Sequence, residues 1–560
     1  MTIDYSWNVN DIFASSEEFN DSIIECYNLI KDFKDRFFYL DTELLEVFKN
    51  VENVYIKLNR VYSYALLQFS TNNRNVGAIK NLATASKIYD QFDQVVRELK
   101  KEIKKKISIE SIFSIKKSLK YSCYEKFLDD IAKENTDGNI LFNQISPYTE
   151  YQKILYRPVS VGEIEQNGEK IALTYMNQLE FLMYGSSKIR KKTYNQFLNF
   201  YEDIKDSVAY LYKIVVVKYN LESVKDGFNN YAQKYFSSSC GKLYQEISSF
   251  IISKPEITQK IVDQQKMLTN SKKISYSDLY YETKPNEFII SKEKAIEIVG
   301  AIFDSFNNSW SSIFKKIITE SWIDWDSKPG KRPGGFSINV YEVHPYILLN
   351  WTDDLNGLFA LAHESMGAIL NYQSRNVNFL NVQHSIFLTE LYSQIMENEV
   401  KEYLLQNYSD NVSIRSVVRE RELIRFKDNV IKTIINTEFE RKSFSIHHSE
   451  SIDSITLSKI YERVSKSIYE ACDGFYSNKK NNVNWVKQAH VFNPFYESNY
   501  VVTYFLAKYI KKKPGSFNQL TAVSEIGSQH SDEKIISNFL NVDLENFIQD
   551  IKRNWRNYCQ

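Results

Sequence analysis

The run Leu361-Ala362-His363-Glu364-Ser365-Met366-Gly367 decides how the rest of the chain is interpreted. Apolar residues around it recur at the three- and four-residue spacing of an amphipathic helix, at Leu355, Phe359, Ala362, Met366 and Ile369. Thr352 precedes this pattern and is the predicted N-cap, because the carboxylates that follow it suit the positive first turn of a helix. His363 and Glu364 are therefore predicted to lie on a helix.

The motif His-Glu-x-x-His of a zinc-peptidase helix is present except for its second histidine. Two imidazoles four residues apart lie on one helix face and bind one metal ion, and the glutamate between them takes a proton from the metal-bound water. Gly367 occupies the fifth position and offers no ligand. A histidine in such an isolated pair is usually structural, so the flanking sequence has to decide.

Two flanking runs are informative, Gly330 to Ser337 (GKRPGGFS) and Pro345 to Trp351 (PYILLNW). Together with His363-Glu364, they closely resemble the oligoendopeptidase F group of the thimet-oligopeptidase-like zinc peptidases. The resemblance extends over nearly the whole chain. It needs no insertion or deletion after His363, so Gly367 falls on the second histidine ligand of that group.

The resemblance implies a single zinc ion and assigns its ligands. His363 is the first ligand, and Glu390 matches the third. Because a catalytic zinc takes three protein ligands, the glycine at position 367 predicts weak or absent zinc binding. His384 and His344 are the nearby histidines that remain open as replacement ligands.

The same resemblance assigns the catalytic side chains. Glu364 is the general base, and His490, Tyr496 and Tyr500 hydrogen-bond the developing oxyanion or the peptide. Two other tyrosines of the family's closing motif are replaced here, by Phe492 and Ser498. Each lost donor at a developing charge costs ~10²–10³ in rate. Without the resemblance, the sequence around His490 would indicate a buried aromatic cluster.

The glycine-rich loop and the segment after it form the predicted substrate-binding element. Phe336, Ile338 and Val340 alternate with polar residues, which indicates a strand. By resemblance, Gly334, Gly335 and Phe336 lie beside the metal, and a short peptide pairs with the strand edge, a mode that an open edge permits. The alternative is that the loop is only a hairpin connection.

Composition excludes several classes of protein. Lys plus Arg and Asp plus Glu each number 70, which argues against nucleic-acid binding, and a hydrophobic share of 43% fits a packed globular chain. The five cysteines are scattered and contain no C-x-x-C pair, which predicts a reducing, cytoplasmic location. We expect neither a signal peptide nor a membrane span, since no apolar segment approaches ~20 residues.

These observations predict a mainly α-helical, two-lobed peptidase fold with a small β-sheet beside an enclosed active-site cleft. Residues 1–185 are the predicted N-terminal helical lobe, and residues 186–560 are the predicted metallopeptidase-like lobe. Helices are expected to begin at Pro255 and, with Ser291 as N-cap, at position 292. The stretch 107–171 is less regular, with a turn at Asn135 to Asn139.

His363, Glu364, Glu390 and His490 are expected to converge in that cleft. Three functions remain open. The chain is a zinc oligopeptidase weakened or inactivated by Gly367, a pseudopeptidase that binds peptides or serves as a scaffold, or a helical interaction protein whose resemblance is only ancestral. The sequence therefore leaves its status as an enzyme undecided.

Overall fold

The computed structural model describes residues 5–37, 43–133, 147–157, 159–166, 168–175, 177–283, 289–446, 451–513 and 516–558. Helices dominate them, which confirms the predicted fold class. The predicted turn at Asn135 to Asn139 lies outside the described residues. Among the described helices, none combines the length and the apolar character that crossing a bilayer requires.

The N-terminal half begins with six helices and a hairpin. These elements are α1 (Ser16–Phe37), α2 (Leu44–Thr71), α3 (Val76–Lys106), α4 (Ile109–Lys116), α5 (Glu125–Lys133), α6 (Pro147–Leu155), β1 (Gly162–Gln166) and β2 (Glu169–Leu173). Seven helices follow, α7 (Gln178–Tyr184), α8 (Ser187–Lys225), α9 (Tyr231–Ser237), α10 (Ser239–Ile252), α11 (Pro255–Leu268), α12 (Lys292–Phe306) and α13 (Asn308–Thr319).

The described residues of the remainder contain three strands and ten α-helices. The strands are β3 (Ile323–Asp324), β4 (Phe336–Asn339) and β5 (Pro345–Leu348). The helices are α14 (Leu355–Gln373), α15 (Phe379–Val382), α16 (Ile386–Asn407), α17 (Val412–Phe426), α18 (Thr433–Phe444), α19 (Ser454–Tyr469), α20 (Ser498–Lys511), α21 (Ser516–Ser524), α22 (Asp532–Lys534) and α23 (Leu544–Tyr558).

Contacts divide the chain into two compact units. The first unit comprises Met1–Gly138, Ile289–Tyr403 and Lys513–Asn541, and the second comprises Asn139–Phe288, Leu404–Lys512 and Val542–Gln560. Each unit is therefore built from three separate stretches of chain. These units do not coincide with the predicted lobes 1–185 and 186–560, and that division stays a prediction.

A helical core and a small sheet form the centre of the first unit. Apolar faces of α1 to α5 pack together, and Val340, Tyr346 and Leu348 are buried in the same cluster. The sheet has the strand order β3-β5-β4, with β3 parallel and β4 antiparallel to β5. Phe336 and Ile338 face the helical core, so the strand predicted from their alternation is confirmed.

Helix α14 begins at Leu355, the first residue of its apolar stripe. Asp354, not Thr352, is its N-cap, because one carboxylate oxygen of Asp354 accepts from the backbone amides of Asn356 and Gly357 at 2.8 and 3.1 Å. The prediction of Thr352 as N-cap is wrong. The Thr352 hydroxyl instead donates to Asp354 at 2.6 Å and supports the cap from outside the helix.

Elsewhere, two helix starts follow the sequence signals. Pro255 opens α11, and the Ser291 side chain caps α12 by accepting from the Lys294 amide. The hairpin of β1 and β2, in the second unit, is a small sheet that the sequence analysis did not predict. It lies in the stretch 107–171 and just beyond it, where we expected little regular structure.

The N-cap assignment predicts a specific ranking of two substitutions. Asp354→Ala should lower the free energy of unfolding by about 1 kcal/mol, since it leaves two helix amides without their acceptor. Thr352→Val should cost less than half as much, because it removes only an outer support. Urea unfolding followed by circular dichroism measures both, and a larger cost for Thr352→Val would contradict the assignment.

Candidate active site

His363 is held between two carboxylates of the neighbouring helix α16. Its Nδ1 lies 2.6 Å from Oε1 of Glu397, and its Nε2 lies 4.0 Å from Oε2 of Glu390. Glu390 and Glu397 are seven residues apart, about two turns, so both project from one face of α16. The Ser393 hydroxyl, between them on that face, donates to the backbone oxygen of His363 at 3.1 Å. The structure therefore joins the two predicted metal ligands, His363 and Glu390.

The electrostatics of this group favour a charged histidine when no metal is considered. Burial by itself lowers the pKa of His363. The hydrogen bond that the ring donates to Glu397 and the charges of Glu364, Glu397 and Glu390 outweigh this effect of burial, and they raise that pKa to about 10. Burial raises the pKa of Glu364, although the charge of His363 acts in the opposite direction. A hydrogen bond from one ring nitrogen to a carboxylate is also how metal-binding histidines are oriented.

Glu364 lies against the glycine-rich loop. A Cβ atom on Gly335 would lie 2.9 Å from Oε1 of Glu364, so any other residue there would displace the end of this side chain. Gly334 has φ +81°, a conformation that glycine adopts without cost. Asn350 fixes the loop by donating to the backbone oxygens of Arg332 and Gly334 at 2.8 and 2.7 Å. The structure thus places predicted substrate residues Gly334 and Gly335 beside the predicted base.

Lys331 anchors the same loop from within the protein. Its buried ammonium donates to the carboxylate of Asp324 at 2.5 Å and to the backbone oxygen of Asp326 at 2.8 Å. A buried ammonium is costly unless it is paired in this way. The predicted substrate residue Phe336 follows the loop at the start of β4, where its ring lies 5.1 Å from the guanidinium carbon of Arg332.

A side chain of the sheet, Ser337 in β4, lies close to the position of the missing ligand. Gly367 is buried in α14, and a Cβ atom there would lie 2.7 Å from the hydroxyl oxygen of Ser337 in β4. The next nearest atoms, Ser337 Cβ and Thr389 Cγ2, would each be 3.8 Å away, which is ordinary contact. The Ser337 hydroxyl is therefore the close obstacle to a Cβ atom at position 367.

The residues present do not fit a catalytic zinc site. Such a site takes three protein ligands, whereas of the three ligand positions of the motif His363 and Glu390 face each other and position 367 is a glycine. Within the described ranges, no group of three or more His, Cys, Asp or Glu side chains is arranged to hold a metal ion.

The two histidines left open as replacement ligands have other partners. Nδ1 and Nε2 of His344 lie 2.9 Å from the Pro345 oxygen and 3.2 Å from Asp11, and its ring stacks on Trp322. His384 is buried, with Nε2 3.1 Å from the backbone oxygen of Ser524. These contacts occupy both ring nitrogens of His344 and one of His384, whose Nδ1 has no hydrogen-bond partner among the described residues.

The predicted oxyanion residues form a cluster of their own in the second unit. The rings of His490 and Tyr496 stack at 4.8 Å and 6°, and Tyr500 meets both edge-on, at 6.3 and 5.7 Å. His490 is exposed, and Tyr496 is half-buried. The two residues that stand in place of tyrosines make structural contacts. The ring of Phe492 lies 4.6 Å from the ring of Tyr151, and the Ser498 hydroxyl donates to the Phe495 oxygen at 2.7 Å.

Two groups of site residues are thus assembled, one in each unit, and their convergence in a single cleft stays a prediction. The sequence analysis assigned no role to Glu397 or Ser337. The seven-residue spacing from Glu390 was the available signal for Glu397. For Ser337 there was none, since its approach to Gly367 depends on how closely β4 packs against α14.

The environment of His384 predicts a measurable pH dependence. Burial lowers its pKa from 6.5 to about 4, so the unfolded chain binds more protons than the folded chain between these values. Stability should therefore fall as the pH decreases from about 6.5 towards 4, by on the order of 3 kcal/mol from this group.

His384→Gln keeps a donor for the Ser524 oxygen and does not titrate. The unfolding free energies of the unmodified chain and of His384→Gln are measured in urea at several pH values. The difference between them should shrink or reverse towards pH 4. A difference that does not change between pH 7 and pH 4 would contradict the neutral, buried histidine.

Comparison with known proteins gives these sites a context. Over 534 residues, the chain is 27% identical to an oligoendopeptidase F homolog of Borreliella burgdorferi, covering 88% of this chain and 86% of that protein. It is 22% identical to the oligopeptidase PepF of Bacillus subtilis, covering 90% and 78%.

The fold is also similar to that of a solved structure. The crystal structure of oligoendopeptidase-F from Enterococcus faecium matches with a TM-score of 0.73 and 17% identity, over 97% of this chain and 98% of the other. At that identity the likeness shows the fold alone. The sequence profile described as peptidase family M3 matches residues 181–511, more than half of the chain. The chain therefore belongs to peptidase family M3.

Proposed function

We propose that this chain takes short peptides in the manner of an oligoendopeptidase F, with zinc-dependent hydrolysis that is strongly weakened or lost. The observation that carries the proposal is the pair His363 and Glu390, which face each other at 4.0 Å while position 367 holds a glycine. Membership of peptidase family M3 supports peptides as the ligands. Zinc would be held by two protein ligands instead of three, so we expect weak binding.

The free edge of β4 supports the binding of an extended peptide. The amides of Ile347 and Leu349 donate to the oxygens of Trp322 and Asp324, on the β3 side of β5. The alternate residues of β5 therefore pair with β4, through Phe336 and Ile338. It follows that Ser337 and Asn339 direct their backbone groups away from β5.

That outer side of β4 has no strand neighbour within the part of the chain that the structure describes. A peptide added there would pair with the amide and carbonyl groups of Ser337 and Asn339. In this proposal, Gly334, Gly335 and Phe336 shape the entry to the edge. Glu364 lies beside it, and His490, Tyr496 and Tyr500 are the donors for the peptide carbonyl.

The alternative function is a pseudopeptidase that binds peptides without hydrolysing them. It is favoured by the absence, in the described ranges, of a three-ligand metal group. Both functions use the same β4 edge and differ only in turnover. A cytoplasmic location belongs to the proposal, supported by the four described cysteines, which are all free.

Restoring the missing ligand tests the hydrolytic half of the proposal. Gly367→His combined with Ser337→Ala should bring bound zinc close to one ion per chain, because the imidazole pair returns and the nearby hydroxyl is removed. Gly367→His alone should bind less zinc than the double variant, since the new Cβ would lie 2.7 Å from the hydroxyl oxygen of Ser337. Elemental analysis after dialysis measures the metal.

The matched control adds His363→Ala to the double variant and should lose the zinc again. If the His490 cluster suffices for the oxyanion, the double variant should also cleave a quenched fluorescent oligopeptide faster than the unmodified chain. Stoichiometric zinc and rapid turnover in the unmodified chain would show that Gly367 is no impairment. Zinc binding without any cleavage by the double variant would favour the pseudopeptidase.

The peptide-binding half is tested at Asn339. Asn339→Pro removes a backbone amide that points away from β5, so it should weaken binding of an extended oligopeptide by roughly 2- to 12-fold, the effect of one hydrogen bond. Asn339→Ala keeps that amide and should bind like the unmodified chain. Calorimetric titration measures both, and equal affinity for the two variants, each folded, would show that peptides do not use this edge.

A further inference from the structure

Phe495 stands immediately before Tyr496 in an unusual backbone conformation. Its φ is +61°, in the left-handed region that residues other than glycine rarely adopt. Such a conformation is strained and persists only where the surroundings impose it. Positions of this kind are concentrated at functional sites, and two sets of contacts surround this one.

The side chain of Phe495 is fixed by an aromatic cage. It is fully buried, and its ring lies against four others, at centroid distances of 4.7 Å from Tyr235, 5.0 Å from Phe236, 5.4 Å from Phe444 and 5.7 Å from Tyr231. All belong to the second unit. The cage fixes the position of the ring, but it does not by itself select the left-handed backbone.

Glu440 of α18 holds the backbone at the same residue. The amide of Phe495 donates to Oε2 of Glu440 at 2.8 Å, and Glu440 is 1% exposed. Its other oxygen has no hydrogen-bond partner among the described residues. Burial, together with the charge of Glu497, raises the pKa of Glu440 well above its usual range despite the bond from Phe495. This buried acid therefore directs one oxygen at a loop amide, although burial disfavours its charged form.

The turn that Glu440 holds leads directly to the oxyanion cluster. Tyr496 stacks on His490 with an angle of only 6° between the rings, and the Ser498 hydroxyl donates back to the Phe495 oxygen at 2.7 Å. A change of φ at Phe495 would rotate the chain that carries Tyr496. The stack with His490 therefore depends on the conformation one residue earlier.

We propose that Glu440 is a positioning residue for the oxyanion cluster, which fixes the left-handed turn at Phe495 and thereby sets Tyr496 against His490. This inference rests on the proposed role of His490 and Tyr496. Its test needs neither zinc nor turnover, so it can fail while the proposed function stands, or hold while that function fails.

The test follows the ring proton of His490 by nuclear magnetic resonance, with histidine labelled at the ε1 carbon. The resonance is assigned with His490→Gln, and Tyr496→Leu gives its position without the stacked ring. Glu440→Leu leaves the Phe495 amide without an acceptor, so it should move the His490 resonance at least halfway to the Tyr496→Leu position. Glu440→Gln keeps a carbonyl oxygen for that amide and should leave the resonance in place.

Two controls separate positioning from general disturbance of the core. Ser443→Ala removes a buried hydroxyl of α18 that bonds to its own helix, and it should not move the His490 resonance. If Glu440→Leu does not fold, Glu440→Met, which keeps the length of the side chain but offers no oxygen to the Phe495 amide, should move the resonance in the same direction. An unchanged resonance in folded Glu440→Leu, or in Glu440→Met where that variant replaces it, would overturn the proposal, as would a displaced one in folded Glu440→Gln.

Discussion

Close packing of β4 against α14 is the constraint on which the metal-ligand region depends. The two elements approach so closely that neither Gly335 nor Gly367 could carry a Cβ without displacing the Glu364 or the Ser337 side chain. The other face of β4 packs on the core of α1 to α5. This four-residue strand thus packs between the helical core and the helix that carries His363. Any change that loosens this strand would alter the candidate base and the ligand region together.

The environment of His363 is complete without a metal. Glu397 hydrogen-bonds one ring nitrogen, and Glu390 faces the other across 4.0 Å. With a proton on the imidazole, the histidine carries a positive charge among Glu364, Glu390 and Glu397, whose charges raise its pKa. Attraction to these carboxylates and the hydrogen bond to Glu397 hold His363 in place although position 367 offers no second histidine.

Features carried by local periodicity or by a motif could be predicted from the sequence, and features set by tertiary approach could not. The helix bearing His363, the β4 strand and the helix starts at Pro255 and Lys292 follow local rules, and the structure has them. The N-cap at Asp354 was missed by two positions because both Thr352 and Asp354 are good caps. The β1–β2 hairpin was missed although an Asn-Gly pair at 167–168 signals such a turn. Sequence spacing does not indicate the approach of Ser337 to Gly367 or the hydrogen bond from the Phe495 amide to Glu440.

The division of each unit into three stretches of chain has a consequence for synthesis on the ribosome. The apolar faces of α1 to α5 are complete once residue 138 has been made, but their cluster also includes Leu348, which is 210 residues later (348 − 138). At translation rates of about 5–20 residues per second, that interval lasts roughly 10–40 s. Throughout it the nascent helices lack the sheet residues that belong to their apolar cluster in the folded unit. The order of synthesis therefore delays completion of this core until the sheet has been made.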